Sequence, residues 1–253
     1  MNKIHSELTP LLKGLRLPVF RECYQSEADL ARQESLSHEA YLLELAKRES
    51  EGRSKKRIAR YLLESKLPLE KNMETFDRHR LTSQLNALVD HLLDGTFLDR
   101  KENVLAFGNP GSGKTHLLSA IGQALITRKG RRVLFTHCSL LVQELLIARR
   151  DLKLARVLKK LSRFDAIIID DIGYVQQSRE EMEVLFTLLA DRYERGSVML
   201  TSNLPFSKWE QIFKDPMTTA AAIDRLVHHS TILELNLESY RLNQSKKDKN
   251  IDE

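Results

Sequence analysis

Residues 104–115 read Val-Leu-Ala-Phe-Gly-Asn-Pro-Gly-Ser-Gly-Lys-Thr. They contain Gly-x-x-x-x-Gly-Lys-Thr, the spacing of a loop that binds the phosphates of a nucleoside triphosphate. The four residues before Gly108 are apolar and predict a buried strand, and residues 116–125 continue with the apolar spacing of a helix. Strand, glycine-rich turn and helix therefore occur in the order that a phosphate-binding loop requires.

The residue types in this loop match the chemistry of phosphate binding. Glycines adopt backbone angles that are closed to other residues, so the loop amides and the helix N-terminus can approach phosphate oxygens. Lys114 is expected to reach the β- and γ-phosphates of the nucleoside triphosphate, and the Thr115 hydroxyl to hold Mg²⁺. The predicted nucleotide-binding residues are Gly108, Asn109, Pro110, Gly111, Ser112, Gly113, Lys114, Thr115 and His116.

A second apolar run, residues 164–171, ends in Asp170 and Asp171. It is too short and too rich in isoleucine for a helix and predicts a strand. An acid at the carboxyl end of such a strand lies beside the phosphates, where it can hold Mg²⁺. We assign that role to Asp170, and we expect Asp171 to orient or deprotonate the attacking water.

The bulk composition indicates a soluble globular protein with a real core. The 253 residues are 42% hydrophobic and 30% charged, and no run of about 18 apolar residues predicts a membrane span. The start of the sequence lacks the apolar segment of a signal peptide. Cys23 and Cys138 are far apart and are expected to be reduced thiols in a cytoplasmic protein.

Positive charge is concentrated in two segments, although the net charge is only +5. Residues 53–80 contain nine Lys or Arg against four acids, and residues 149–163 contain seven against one. Such segments favour a polyanionic partner, with nucleic acid first. Solvated helix faces are the alternative for each segment.

The order of elements predicts a helical N-terminal domain followed by an α/β domain with a parallel sheet flanked by helices. We expect residues 1–68 to form the first domain, 69–80 a linker, 81–245 the nucleotide-binding domain and 246–253 a polar tail. Helices are predicted at residues 81–98, 140–161, 181–195 and 220–229. Strands are predicted at residues 133–137, 197–203 and 231–235.

Polar residues after these strands are further candidates for the site. Asn203 ends a strand, where its side chain could contact the γ-phosphate or the attacking water, although a turn in Ser-Asn-Leu-Pro explains it equally well. Arg225 could stabilise transition-state charge on a neighbouring subunit's nucleotide, although such an arginine is more often a member of a surface ion pair. No acid, Cys or further His stands at ligand spacing from His228 and His229, so we interpret them as structural. Trp209 is expected in the core.

Together these residues resemble the AAA+ ATPases of the initiator type, and more closely the IstB family of ATP-binding transposition helpers encoded by bacterial insertion sequences. The resemblance extends from Leu11 to Arg241. Its marks in the N-terminal part are Arg57-Ile-Ala-Arg60, Lys66-Leu-Pro68 and Met73-Glu-Thr-Phe76-Asp77. Its marks in the core are Gly108–Thr115, Ile169-Asp-Asp-Ile-Gly-Tyr174, Leu200-Thr-Ser-Asn203 and Asp224-Arg-Leu-Val-His-His-Ser230.

The resemblance implies a function and roles for individual residues. It implies ATP-dependent homo-oligomers on duplex DNA that work with the transposase of the same element, with Asn203 as the sensor residue and Arg225 as the trans-acting arginine. It also implies that the basic segments face DNA, through phosphate contacts. The implied DNA-binding residues are Arg53, Lys55, Lys56, Arg57, Arg60, Arg149, Arg150, Lys153, Arg156, Lys159 and Lys160.

Two features depart from the wider AAA+ pattern, and other functions stay open. Asp171 stands where many AAA+ proteins have Glu, so hydrolysis is expected to be slow, and the role of Arg241 is left open. A DnaC-like replicative helicase loader would share nearly all the nucleotide-site residues and would use its N-terminal domain to grip a helicase. A P-loop kinase would leave Asn203, Arg225 and the basic segments unexplained. An inert DNA-binding module would not need Lys114 and Asp170.

Overall fold

The computed structural model describes residues 3–173, 178–213 and 216–237. The chain divides into two compact units, Met1–Arg60 and Tyr61–Glu253, and the division falls inside a helix. The expected boundaries at residues 68 and 80 stay predictions. None of the helices in the described part of the chain combines the length and the apolar character needed to cross a bilayer.

The first unit is helical and consists of α1 (Lys3–Gly14), α2 (Pro18–Gln33) and most of α3 (His38–Ser65). Proline at the first position of α2 fits a helix start, because its φ is already helical and the missing N–H has no partner there. The buried Glu49 carboxylate of α3 accepts hydrogen bonds from the amides of Val19 and Phe20 at 2.9 and 3.2 Å. This carboxylate satisfies two of the amides that a helix start leaves open.

The second unit contains five strands and eight helices among its described residues. The helices are α4 (Ser83–Asp94), α5 (Thr96–Asp99), α6 (Lys114–Lys129), α7 (Cys138–Arg150), α8 (Leu154–Leu161), α9 (Arg179–Arg192), α10 (Glu210–Phe213) and α11 (Pro216–Val227). The strands are β1 (Asn103–Phe107), β2 (Val133–His137), β3 (Ala166–Ile172), β4 (Ser197–Ser202) and β5 (Ser230–Glu234). Short 3₁₀ turns lie at Arg78–Arg80 and Phe206–Lys208.

The strands form one parallel sheet in the order β2-β3-β4-β1-β5. Leu105 and Leu200 face a core shared with α7, α9 and α11. On the other face, α6 approaches so closely that a Cβ at Gly122 would lie 2.9 Å from Ile168 Cδ1. Helices therefore cover both faces, as predicted, and buried β-branched and leucine side chains occupy both sides of the strands. Trp209 is fully buried, which confirms its prediction as a core residue.

Two long predicted helices are wrong, because each is divided by a residue in the left-handed backbone region. The stretch 140–161 forms α7 and α8, separated at Leu152, which has φ 58°. The stretch 81–98 forms α4 and α5, separated at Gly95 with φ 74°. The apolar spacing continues through both breaks, so periodicity alone predicted one helix. The other predicted elements differ from the structure by a few residues at their ends.

Candidate nucleotide site

The glycine-rich loop joins β1 to α6, and its backbone requires glycine. Gly108, Gly111 and Gly113 have φ of 148°, 80° and 99°. A Cβ at Gly108 would lie 2.2 Å from the carbonyl oxygen of Leu235, so no side chain fits there. Gly113 precedes α6 without any side-chain cap. The amides of the first turn of α6 are therefore available to an anion.

The side chain of Lys114 folds back onto the loop and bonds to its carbonyls. Its Nζ donates to the carbonyl oxygens of Gly108 and Asn109 at 2.8 and 2.9 Å, and only 6% of the residue is exposed. Burial lowers the pKa of the ammonium, and the nearby carboxylates of Asp171 and Asp170 oppose that shift. The hydroxyl of Ser112 is buried and has no hydrogen-bond partner among the described residues. A buried cation and an unsatisfied hydroxyl inside a glycine loop fit phosphate oxygens.

Asp170 lies beside the loop, at the carboxyl end of the sheet. Its Oδ1 accepts a hydrogen bond from the Thr115 hydroxyl at 2.8 Å, and its Oδ2 lies 3.5 Å from His137 Nδ1. The carboxylate is almost completely buried. A hydroxyl and a carboxylate in contact are hard oxygen ligands of the kind that Mg²⁺ prefers. Thr115 and Asp170 therefore fit the Mg²⁺ role predicted for them, and Mg²⁺ there would neutralise phosphate charge.

Asp171 occupies a strained position at an irregularity of β3. The pairing of β3 with β4 shifts between Ile169 and Ile172, and Asp171 has φ 61°, a conformation that non-glycine residues seldom adopt. The side chain is exposed, whereas that of Asp170 is buried. Adjacent acids of one strand are thus directed to different environments, which suits different roles.

Thr201 is a site residue that the sequence analysis missed. Its hydroxyl donates to Asp170 Oδ1 at 2.8 Å and accepts from the Asp171 amide at 2.8 Å, and the residue is fully buried. One side chain of β4 therefore holds the carboxylate of Asp170 and the backbone of Asp171. The available signal was a threonine directly after the apolar residues 198–200 of a predicted strand, because a buried hydroxyl needs partners.

We predict that Thr201→Val weakens Mg²⁺ binding in the presence of ATP by about 10- to 100-fold, the usual effect of removing a group that orients a metal ligand. Titration of Mg²⁺ into a complex with a fluorescent ATP analogue measures the change. Thr201→Ser is the matched control, because it keeps the hydroxyl and should retain wild-type Mg²⁺ dependence. An unchanged Mg²⁺ dependence in Thr201→Val would contradict the positioning role.

The segment predicted as a linker, residues 69–80, contacts the loop helix. His116 Nε2 lies 3.1 Å from both the Asn72 carbonyl oxygen and the Thr75 hydroxyl, and the His116 ring meets Phe76 edge-on at 5.2 Å. The side-chain amide of Gln123 donates to the Pro68 and Lys71 carbonyls at 3.0 Å. His116 therefore anchors this segment to α6, and burial lowers its pKa.

Of the two further candidates, Asn203 lies on the loop side of the sheet, because Ser202 pairs with Phe107 directly before the loop, whereas Arg225 lies at the other end. Asn203 is exposed in the turn after β4. The Arg225 guanidinium lies 4.8 Å over the Phe186 ring and donates to the Ala221 carbonyl at 2.9 Å. The Arg225 carbonyl accepts from the side chain of Asn103, at the amino end of β1, whereas the loop follows the carboxyl end. Within its own subunit, Arg225 is thus held at the opposite end of the sheet from the loop.

The predicted DNA-binding residues on α7, on α8 and at Lys153 between these helices are all exposed. Three have carboxylate partners: Arg149 pairs with Glu183, Lys153 with Asp151 and Lys160 with Glu144. In the part of the chain that the structure describes, no ion pair holds Arg150, Arg156 or Lys159. These last three are the cations most available to an outside anion.

The predicted cluster on α3 is exposed as well. Its members are Arg53, Lys55, Lys56, Arg57 and Arg60. Arg53 is committed to the fold of its unit, because its Nε donates to Glu49 at 2.8 Å and its Nη2 to the Arg16 carbonyl at 2.7 Å. Tyr174 and residues 238–253, which include Arg241 and the predicted tail, lie outside the described residues.

The protein is an ATP-binding P-loop protein with the AAA+ fold. Three features define this class: the parallel sheet with this strand order, the glycine loop with its buried lysine, and the Thr–Asp pair at the sheet edge. Residues 10–248 match the family model of the IstB-like ATP-binding proteins. The chain belongs to that family.

Relatives over nearly the whole chain agree with this assignment. An insertion sequence ATP-binding protein of Sinorhizobium fredii is 44% identical over 91% of this chain and 78% of its own length. The ATP-binding protein of insertion sequence IS21 from Pseudomonas aeruginosa is 36% identical over 95% of this chain and 91% of its own length.

Solved structures agree on the fold. The DnaC helicase loader covers 67% of this chain and 97% of its own, with a TM-score of 0.57 and 17% identity. DnaA from Aquifex aeolicus bound to AMPPCP covers 73% of this chain and 56% of its own, with a TM-score of 0.55 and 17% identity.

Proposed function

We propose that this protein hydrolyses ATP and assembles on duplex DNA as a homo-oligomer, where it recruits or stimulates the transposase of the same insertion sequence. The observation that carries the proposal is the cationic surface of α7 and α8 in the compact unit that holds the nucleotide site. Arg150, Arg156 and Lys159 present three exposed charges there without an ion pair among the described residues. Exposed lysine and arginine side chains of this kind bind phosphates without reading bases.

Self-assembly is supported by the place of Arg225. Its backbone is tied to the amino end of β1, so its guanidinium serves a nucleotide held by another copy of the chain rather than its own. The side chain leaves its contacts with Phe186 and Ala221 to do so, and a charge supplied in this way couples hydrolysis to assembly. Asn203, exposed after β4, is the candidate to sense the γ-phosphate.

ATP hydrolysis is assigned to the acids that Thr201 holds. Lys114 would stabilise charge on the β- and γ-phosphates, and Thr115 and Asp170, which are in contact, would hold Mg²⁺. Asp171, exposed beside them, orients or deprotonates the attacking water. Because aspartate is one methylene shorter than glutamate, we expect a slow rate that assembly increases.

The second candidate function is a DnaC-like loader of a replicative helicase. Exposed leucines on the first unit favour it: Leu42 and Leu43 are 58% and 56% exposed on α3, next to each other in sequence. Apolar side chains on a helix suit a protein partner better than they suit DNA. The charges of Lys55, Lys56 and Arg57 on the same helix favour DNA.

The mass of the protein in solution separates the two functions. We expect that ATP, Mg²⁺ and a duplex long enough for several subunits together produce a complex of several chains, measured by analytical ultracentrifugation, with no helicase present. ATP without duplex, and duplex without ATP, are the controls. A monomer that ignores duplex DNA under all these conditions would contradict the proposal and favour the loader.

Two matched triple variants test the α7–α8 surface through the salt dependence of duplex binding. Alanine at Arg150, Arg156 and Lys159 should reduce the slope of log Kd against log salt by up to about 3, because each phosphate contact contributes about 1. Alanine at Arg149, Lys153 and Lys160 removes the same charge from residues that have carboxylate partners, and should reduce the slope less. Equal slopes in wild type and both variants would exclude this surface as the DNA contact.

A further inference from the structure

Two connections at the amino edge of the sheet bring together one carboxylate and two imidazoles. Glu194 lies between α9 and β4, and His228 and His229 lie between α11 and β5. One candidate ligand atom from each side chain lies within 4.8 Å of the others, and all three residues are exposed. Within the described residues, this is the one group of three or more His, Cys, Asp or Glu side chains with such a geometry. From the sequence alone, His228 and His229 are interpreted as structural because no acid stands at ligand spacing from them, but the fold brings in Glu194, which lies 34 positions before His228.

Backbone hydrogen bonds hold both connections. The His228 amide donates to the Asp224 carbonyl at 3.0 Å, and the His229 carbonyl accepts from the Asn103 amide at 2.8 Å. Glu194 has φ 57° and lies in a tight turn, which the Gly196 amide closes with a 3.0 Å hydrogen bond to the Arg192 carbonyl. The three side chains therefore start from fixed backbone positions.

The side chains are oriented as well. The rings of His228 and His229 are 4.2 Å apart and nearly perpendicular. The Tyr193 hydroxyl lies 3.3 Å from His228 Nδ1 and also hydrogen-bonds with the Glu194 carboxylate. A phenol that contacts two of the three side chains orients them, as groups behind metal ligands do in metalloproteins.

We propose that Glu194, His228 and His229 bind a divalent transition-metal ion of the zinc class. Two imidazole nitrogens and one carboxylate oxygen are a common zinc ligand set, and three protein ligands leave a position for water or an outside ligand. Ligands of one tetrahedral ion at about 2.1 Å lie roughly 3.4 Å apart, so exposed side chains need only small rotations to close on it. Imidazoles favour such ions over Mg²⁺.

This site is separate from the one assigned to Mg²⁺. Thr115 and Asp170 lie at the carboxyl edge of the sheet, whereas Asn103, bonded to His229, begins β1 at the amino edge. An ion held here joins the end of α11 to the turn after α9. Arg225 stands three residues before His228 on α11, so occupancy of the metal site also restrains the helix that carries Arg225.

Calorimetric titration of Zn²⁺ into the untagged full chain, stripped of metal and free of nucleotide, tests the proposal. We expect one ion per chain, with affinity reduced at least tenfold in each of His228→Ala, His229→Ala and Glu194→Gln. His38→Ala is the matched control, because His38 is an exposed histidine at the start of α3, and it should bind like wild type. The changed side chains are exposed, so the melting temperatures of the metal-free variants should match that of the wild type.

Co²⁺ provides a second readout. Its absorption spectrum should show the bands of a four- or five-coordinate site without a thiolate charge-transfer band, because the proposed ligands include no sulfur. A thiolate band would assign the ion to a cysteine and overturn the proposal. The same conclusion would follow from Zn²⁺ binding that all three variants leave unchanged, or from the lack of any saturable binding by the wild type.

Discussion

Lys114→Ala should weaken ATP binding by at least about 100-fold. The Lys114 ammonium is buried and contacts two loop carbonyls. Residues 108–115 contain no other cationic side chain. A hydrogen bond to a charged group contributes about 1.5–3 kcal/mol, and each 1.4 kcal/mol is a factor of ten in affinity. Titration of ATP with Mg²⁺ present, followed by calorimetry, measures the loss.

Lys129→Ala is the control for this experiment. Lys129 is exposed at the last turn of the same helix, α6, so its removal changes the net charge equally without touching the loop. Its ATP affinity should stay at the wild-type value, and circular dichroism should show that both variants fold. An affinity of Lys114→Ala within threefold of wild type would refute the role of Lys114 in holding phosphate.

The loop could be predicted from sequence because its requirements are local. Gly108, Gly111 and Gly113 all have positive φ, and at Gly108 the Leu235 carbonyl leaves no room for a Cβ. The spacing of the glycines in the sequence follows from these backbone requirements. The order of strand, turn and helix can likewise be predicted from consecutive residues. The apolar run before Asp170 could also be predicted as a strand from adjacent residues. In a parallel sheet the carboxyl ends of both strands lie at one edge, so Thr115 and Asp170 could be expected close together.

Residues that act through distant contacts could not be predicted in this way. Thr201 reaches Asp170 only because β4 lies beside β3 in a defined register, and no short pattern records that register. Glu194 meets His228 because two connections end at the same sheet edge. Leu152 adopts a left-handed turn between Asp151 and Lys153, where neither glycine nor asparagine marks the end of α7.

Arg192 shows the same limit most clearly, because its role depends on three separate parts of the chain. Arg192 is 2% exposed, and its Nη1 and Nη2 donate to the carbonyls of Leu161, Phe164, Asp165 and Ser197 at 2.9 to 3.2 Å. These carbonyls belong to the end of α8, the turn before β3 and the start of β4. Gly196 is required beside it, since a Cβ there would lie 2.4 Å from Arg192 Nη2.

Among the residues that the structure describes, Arg192 forms no ion pair, and carbonyl oxygens solvate its charge instead. Burial lowers the pKa of Arg192 to about 10, although the charges of Asp191 and Asp165 oppose the shift. The guanidinium therefore stays protonated at neutral pH and keeps its donors for the four carbonyls. Such an arrangement stabilises the fold only while every partner is present, because each carbonyl left in the interior without a donor carries a desolvation penalty.

Arg192→Ala should consequently lower the free energy of unfolding by about 3–5 kcal/mol, the range for breaking a buried charged network. Urea unfolding followed by circular dichroism measures it. Arg195→Ala is the matched control: Arg195 is 78% exposed, and its pair with Asp191 at 3.8 Å joins neighbouring turns on the surface, so its removal should leave stability nearly unchanged. A loss below about 1 kcal/mol in Arg192→Ala would mean that water reaches these carbonyls. In that case, interactions other than those of Arg192 would hold α8, β3 and β4 together beneath the cationic surface proposed to bind DNA.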